Sequence, residues 1–173
     1  MRQSVIIGII LSSCWWTAPL QASDADDIWN RAIELVKEGG EVDMAFTNFH
    51  LLVDTYPNFK KSYDAQFSLG EYYFFANILP LAKVEFEKFY AKYPQEKQSL
   101  IVASYLYTIA QAQKKSQDVE RYQQELTKLA LILKGKESFD YTSGYLHRYK
   151  VLLSADKIEV FVDGKLFVTV PRN

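Results

Sequence analysis

Three landmarks that recur at one spacing constrain this chain of 173 residues more than any other feature. Each set consists of an alanine, a phenylalanine four positions later and a proline eight positions after that, and the second set begins 37 residues after the first. The two sets are Ala45, Phe49 and Pro57, and Ala82, Phe86 and Pro94. A small residue lets two helices face each other, a ring fills the gap, and a proline ends the second helix because it has no amide donor. The spacing predicts helix–turn–helix units, which bury their apolar faces only by stacking on neighbours.

The second unit, residues 62–94, carries further marks in its first helix. Leu69 and Gly70 are followed by Tyr73 three positions later. A glycine here allows the second helix to cross close over the first, because it has no side chain. The full pattern resembles the tetratricopeptide repeat, W-x2-L-G-x2-Y…A-x3-F…P, with Gln66 at the tryptophan position.

Weaker copies of this unit precede and follow it. In the first, a predicted helix over 26–38 has Trp29 at the tryptophan position. Apolar residues at helical spacing predict a third pair over 100–110 and 119–133, without the alanine, phenylalanine and proline marks. A terminal repeat is often atypical, and about three pairs are needed for a stable stack. We therefore expect an all-α, tetratricopeptide-like solenoid of about three helix pairs over residues 23–135.

Residues 136–173 are predicted to form a small C-terminal helix and a β-hairpin. The helix, over 143–154, would use Tyr145, Leu146, Tyr149 and Leu153. The hairpin, over 158–170, turns at Asp163-Gly164, and an Asp-Gly between two β-branched runs is a strong hairpin signal.

Both faces of this hairpin are apolar if Val162 lies opposite Lys165. One face then carries Ile158, Val160, Val162 and Phe167, and the other carries Phe161, Leu166, Val168 and Val170. A lone hairpin is marginal in water, so it must be covered. Its own helices, a second copy of the chain, and a partner whose sheet it extends are the three alternatives.

The N-terminus is predicted to be an export signal, residues 1–22. One positive charge precedes an apolar run, and a small residue, Ala22, ends the segment. Cleavage after Ala22 would leave a mature chain in the periplasm. Alternatively Leu11-Ser12-Ser13-Cys14 is similar to a bacterial lipobox, in which Cys14 would be lipidated and would anchor the chain to the periplasmic side of the outer membrane.

Composition and motifs point away from chemistry and towards binding. A net charge of −1 and a pI near 6.1 give no basic footprint for nucleic acid. One cysteine and two histidines leave little material for a metal centre, and the sequence has no P-loop, dinucleotide fingerprint or nucleophile elbow. We expect no enzymatic activity, cofactor or metal site.

Aromatic side chains are the candidates for partner binding. The run 72–75 points in all directions on a helix, so that most of its rings would pack in the core and at least one would face a groove. The candidates are Tyr72, Tyr73, Phe74, Tyr105, Phe161 and Phe167.

One stretch carries a closer resemblance. Residues 70–82 lead into 85–90 and then Tyr93-Pro94, and Phe49 precedes Tyr56-Pro57 in the same way. Over about residues 26–115 the chain resembles the outer-membrane-assembly lipoprotein family (BamD/YfiO-like). The resemblance implies an exported scaffold that holds other envelope proteins, in that family the machine that inserts β-barrels into the outer membrane.

We therefore expect an exported scaffold for protein–protein interaction in the cell envelope. Its partners would be other envelope proteins or peptides, not nucleic acid, and only an N-terminal lipid would contact the membrane. The alternative is a structural envelope module that forms a homodimer through its C-terminal hairpin.

Overall fold

Six α-helices and then four β-strands follow one another along the residues that a computed structural model of the chain describes, 22–133 and 138–172. The helices are α1 (Ala22–Glu38), α2 (Val42–Thr55), α3 (Ser62–Phe75), α4 (Leu79–Lys92), α5 (Gln98–Ala112) and α6 (Ser116–Ile132). The strands are β1 (Ser138–Thr142), β2 (Arg148–Leu153), β3 (Lys157–Val162) and β4 (Lys165–Pro171). The chain is mostly helical, but the all-α prediction fails for its C-terminal part, which is an antiparallel sheet.

Each helix packs against the next one along the chain. The recurring alanines and phenylalanines lie at these contacts and are completely buried. The helices α2 and α4 each end two residues before the proline of their unit. The ring of a proline disfavours helical geometry in the residue before it, so the helix stops there.

The spacing of 37 residues is also a property of the backbone. The helices α2, α4 and α6 begin at residues 42, 79 and 116. The turns before α4 and α6 place Asn77 and Lys114 in the left-handed region, with φ of 59° and 55°. In both turns the next amide donates a hydrogen bond to the carbonyl five residues back, at 2.7 and 3.0 Å. The third pair therefore shares the turn geometry of the second, although it lacks the sequence marks.

The predicted close crossing at Gly70 is present between α3 and α4. A Cβ atom at this position would lie 2.5 Å from Cδ1 of Phe86, closer than real Cβ contacts come. Phe86 cannot retreat easily, because its ring stacks on Tyr105 with centroids 4.6 Å apart. The absent side chain therefore sets the distance between the two helices.

Replacing Gly70 tests this crossing. We expect Gly70→Ala to lower the free energy of unfolding by about 1–3 kcal/mol, since overpacking outweighs the better helix propensity of alanine. Chemical denaturation measures the change. Gly40→Ala is the matched control, because a Cβ there meets nothing within 4 Å, and it should change stability by less than about 0.5 kcal/mol. A stabilised Gly70→Ala protein would show that Phe86 moves freely.

The predicted helix over 143–154 is wrong. The strands pair in the order β1-β2-β3-β4, each antiparallel to its neighbour, and β2 occupies Arg148–Leu153. Its burial alternates: Tyr149 and Val151 are buried, whereas Arg148 and Lys150 are exposed. This period of two is that of a strand with one face on a core. The apolar residues of the segment also fit helical spacing, and this is why the sequence predicted a helix here.

The predicted hairpin is present, with Val162 opposite Lys165. The prediction of which residues share each apolar face is nevertheless wrong for part of β4. The register shifts beyond Phe161, where Leu166 pairs with Phe161 but Val168 pairs with Val160, leaving Phe167 as an extra residue. This β-bulge turns Val168 and Val170 to the face that carries Val160 and Ile158.

The chain's own helices cover the inner face of the sheet. The ring of Phe67 in α3 lies 5.4 and 5.6 Å from those of Tyr141 and Tyr149. The turn between β1 and β2 reaches α1, where a Cβ on Gly144 would lie 2.9 Å from Cη2 of Trp29. At the other end, Gln123 of α6 donates a hydrogen bond to the last residue of β4, at 3.1 Å. Of the three alternatives for covering the hairpin, packing on its own helices is the one found for this face.

Candidate functional site

An aromatic cluster lies where the sheet meets α3 and α5. Tyr105 is completely buried at its centre. The ring of Phe74 is 4.7 Å from that of Tyr105, and the ring of Phe167 is 4.8 Å from it. Three of the six residues predicted to bind a partner therefore lie together, but in the fold their rings pack against one another. Phe167 lies on the inner face of the hairpin, as the sequence predicted, and the bulge leaves it there as the extra residue beside Val168.

The other three candidates lie apart. The ring of Tyr72 stacks on Phe46, with centroids 3.8 Å apart, and its hydroxyl donates to Asp43 at 2.5 Å. This hydrogen bond is the main reason that the pKa of Tyr72 is raised to about 12. Tyr73 is half-buried, with its hydroxyl 3.5 Å from a ring nitrogen of His50. Phe161 is half-buried on the outer face of the sheet. The six residues do not form one surface.

A hydrogen-bonded chain of buried polar groups runs beside the aromatic cluster. The hydroxyl of Tyr149 in β2 donates to Oε1 of Glu71 in α3 at 2.5 Å. It also lies 2.6 Å from the hydroxyl of Tyr105 in α5. Burial raises the pKa of Glu71 to about 8, with Asp163 and Asp64 adding to the shift and the hydroxyls of Tyr149 and Ser143 opposing it.

A second carboxylate of α3, Asp64, makes a different contact with the sheet. Tyr141 of β1 donates to its Oδ1 at 2.5 Å, and Lys61 lies 3.2 Å from its Oδ2. Asp64 therefore has a cation as a partner, whereas no ion pair to Glu71 exists within the described part of the chain. Burial, together with this carboxylate, raises the pKa of Tyr141.

The sequence contains a signal for this polar interface. Asp64, Ser68 and Glu71 follow one another at helical spacing i, i+4, i+7. They form one stripe in a helix whose remaining positions are largely apolar, and the sheet covers this stripe. A polar stripe on an otherwise apolar helix indicates a face that contacts either solvent or other polar groups. Here the tyrosines of β1 and β2 supply those polar groups.

Both histidines have structural contacts. Nδ1 of His147 lies 2.7 Å from Oδ2 of Asp163, which joins the β1–β2 turn to the β3–β4 turn. The backbone amide of Arg148 donates to the other oxygen of this carboxylate at 2.9 Å. The ring of Phe75 lies 4.3 Å from that of His147. The His147–Asp163 contact therefore links the two turns at one end of the sheet. No serine hydroxyl and no cysteine thiol in the described residues hydrogen-bonds to either histidine.

A recess of about 290 Å³ opens between α4 and α6, over Leu106 of α5. Two hydrogen bonds cross it in opposite directions, from Tyr90 to Glu125 at 2.7 Å and from Tyr122 to Glu87 at 2.8 Å. Lys83, Arg121 and Lys128 lie within ion-pair distance of these two carboxylates. The arrangement ties the second helix pair to the third, and each charged residue that lines the recess has an ion-pair partner.

The described residues contain neither a metal-binding cluster nor a membrane-spanning helix. Within 22–133 and 138–172, no three His, Cys, Asp or Glu side chains are grouped so as to hold a metal ion. None of the helices described is both long and apolar enough to cross a membrane. The predicted signal peptide, with the lipidation candidate Cys14, lies outside the described residues apart from Ala22, where α1 begins.

Comparison with known proteins gives no match: no protein-family model matches this sequence, and no curated protein does. The resemblance to outer-membrane-assembly lipoproteins therefore stays a prediction from the residues.

Replacing Phe167 tests whether the hairpin is held by the aromatic cluster. We expect Phe167→Ala to cost about 2 kcal/mol of unfolding free energy, because the ring leaves a gap against Phe74 and Tyr105. Leu166→Ala, next to it but 55% exposed, should cost less than about 0.5 kcal/mol. Chemical denaturation of the two variants gives the comparison, and equal losses would mean that the cluster does not hold the hairpin.

Proposed function

We propose that this chain is an interaction scaffold of the cell envelope, built as a short solenoid of tetratricopeptide-like helix pairs. The observation that carries the proposal is the repeat of 37 residues, which extends from the sequence marks to the helix starts and to the turns at Asn77 and Lys114. Stacked helix pairs of this kind present extended surfaces and bind segments of other proteins.

The surface left for a partner is the exposed part of α2 and α4, because the sheet covers much of α3 and α5. Met44 and Leu81 occupy the same position of consecutive units and are 47% and 45% exposed. Leu51 and Val84 are each 44% exposed on the same two helices. These side chains would anchor an apolar segment of another envelope protein, as large apolar anchors do in protein interfaces.

Export follows, in this proposal, from the signal at residues 1–22, with either a free mature chain in the periplasm or a lipid anchor at Cys14. The resemblance over residues 26–115 favours a role in the assembly of outer-membrane proteins. No catalytic step, cofactor or nucleic acid forms part of the proposed function.

Crosslinking tests the scaffold. The tagged full chain would be crosslinked in envelopes of its own source, solubilised in detergent and recovered for mass spectrometry. We expect envelope proteins to be recovered with the wild type and at least tenfold less with Met44→Asp/Leu81→Asp, since two charges would enter the interface. Gln124→Asp, on an exposed polar position of α6 outside this surface, is the control and should recover as much as the wild type. Equal recovery with all three proteins would contradict this surface, and recovery of the chain alone would contradict the scaffold.

The alternative, a dimer formed through the hairpin, is favoured by one observation. On the outer face of the sheet, Leu166 is 55% exposed and pairs with the half-buried Phe161. The edge of β4 is less suited to pairing, because a bulge and Pro171 interrupt it. A dimer would therefore use this face.

Sedimentation decides whether the dimer exists. If the hairpin mediates it, the wild type should sediment as a dimer at micromolar concentration and Leu166→Asp as a monomer. Leu131→Asp is the control, since this side chain is as exposed, at 57%, but lies on α6. A monomeric wild type would exclude the alternative.

A further inference from the structure

We infer that Glu71 carries a proton inside the interface between the helices and the sheet, and that this proton latches the sheet onto α3 in a pH-sensitive way. Glu71 is completely buried. Its carboxyl faces Tyr149 of β2, Tyr105 of α5 lies one hydrogen bond further on, and Ser143 lies in the turn that follows β1. The latch therefore joins three separate parts of the fold.

The hydrogen bonds around Glu71 accommodate a protonated carboxyl. A tyrosine hydroxyl has one proton, so if Tyr149 donates to Oε1 of Glu71, it must accept from Tyr105. The chain of donors thus runs from α5 through β2 to α3. At its end, Oε2 of Glu71 and Oγ of Ser143 are both buried and have no hydrogen-bond partner of good geometry within the described residues. The hydroxyl of Ser143 accepts from a protonated Oε2 and donates to an ionised one, so the hydrogen bonds accommodate the proton, and complete burial favours it.

The charges around the carboxyl favour the same state. Asp64 on α3 and Asp163 in the β3–β4 turn both act on Glu71 as negative charges. The other titratable groups that interact with it in the described residues are phenols, those of Tyr149, Tyr105, Tyr145 and Tyr141. An ionised Glu71 would therefore be a completely buried charge with hydroxyl donors but no cation in the described residues, which is costly in a protein interior.

The sign of the pH dependence follows from the shifted pKa. The pKa of Glu71 is about 8 in the folded chain and near its ordinary value of 4.5 when unfolded. Between these values the folded state holds one proton more, so stability falls as pH rises through this window. Above about pH 8 the carboxyl ionises in the folded state, and we expect the sheet to loosen at Tyr149. The latch thereby controls access to the part of α3 and α5 that the sheet covers.

Thermal unfolding of the full chain from pH 5 to 9 tests the latch, with Glu71→Gln as the variant. Glutamine has the shape of a protonated glutamate and keeps a donor for Ser143, but it cannot ionise. We expect the melting temperature of the wild type to fall by roughly 10 °C more than that of the variant across this range. At pH 8.5 the variant should be the more stable protein. Parallel curves for the two proteins would overturn the inference.

Two spectroscopic measurements keep the test independent of how well the variant folds. Infrared spectroscopy of the wild type at pH 7 should show the stretch of a buried protonated carboxyl, which disappears at pH 9; no such band would overturn the inference. Near-ultraviolet circular dichroism reports the packing of Tyr105 and Tyr149. Its signal should weaken at pH 9 in the wild type while the helical far-ultraviolet signal persists, and an unchanged near-ultraviolet signal would show that ionisation does not release the sheet.

Discussion

The burial of α3 on all sides is the constraint on which the rest of this structure depends. Residues 64–71 of this helix are all buried, because α2, α4 and the sheet each take one part of its surface. Each neighbour imposes its own requirement. The crossing with α4 needs Gly70, where any side chain would collide with Phe86. The contact with the sheet needs polar groups that match the tyrosines of β1 and β2. One helix of 14 residues therefore fixes the position of the layers around it.

The helical part could be predicted from the sequence because its signals are local. Spacing of apolar residues, the prolines and the recurring alanine and phenylalanine marks all act within one helix pair. The hairpin could be predicted for the same reason, since its Asp-Gly turn lies between two β-branched runs. The segment around β2 could not, because its apolar residues satisfy both a helical and a strand period. Pairing with β1 and β3 decides between them, and pairing is not visible in a single segment.

The aromatic residues that gather at the sheet could be named from the sequence, but their place in the fold could not. Aromatic residues of α3, α5 and the hairpin do gather, yet a pattern of residues does not distinguish an open groove from an interface that the chain covers itself. Val168 and Val170 show the reason most clearly. Their inward direction depends on a bulge that shifts the register of β4 by one residue, and a strand's faces exchange with each such shift. Glu71 was missed because a polar residue on a helix is ordinarily solvated.

A buried carboxyl is an expensive way to hold a sheet against a helix, and its advantage is specificity. An apolar residue at position 71 would pack against the same surface without a proton or a fixed direction, and such replacements are often neutral or stabilising. It would also accept several positions of the sheet. The chain from Tyr105 through Tyr149 to Glu71 needs these groups at hydrogen-bond distance, which restricts where the sheet can lie. The polar interface therefore orients the sheet on the helices, and apolar contacts such as that between Phe74 and Phe167 supply the attraction.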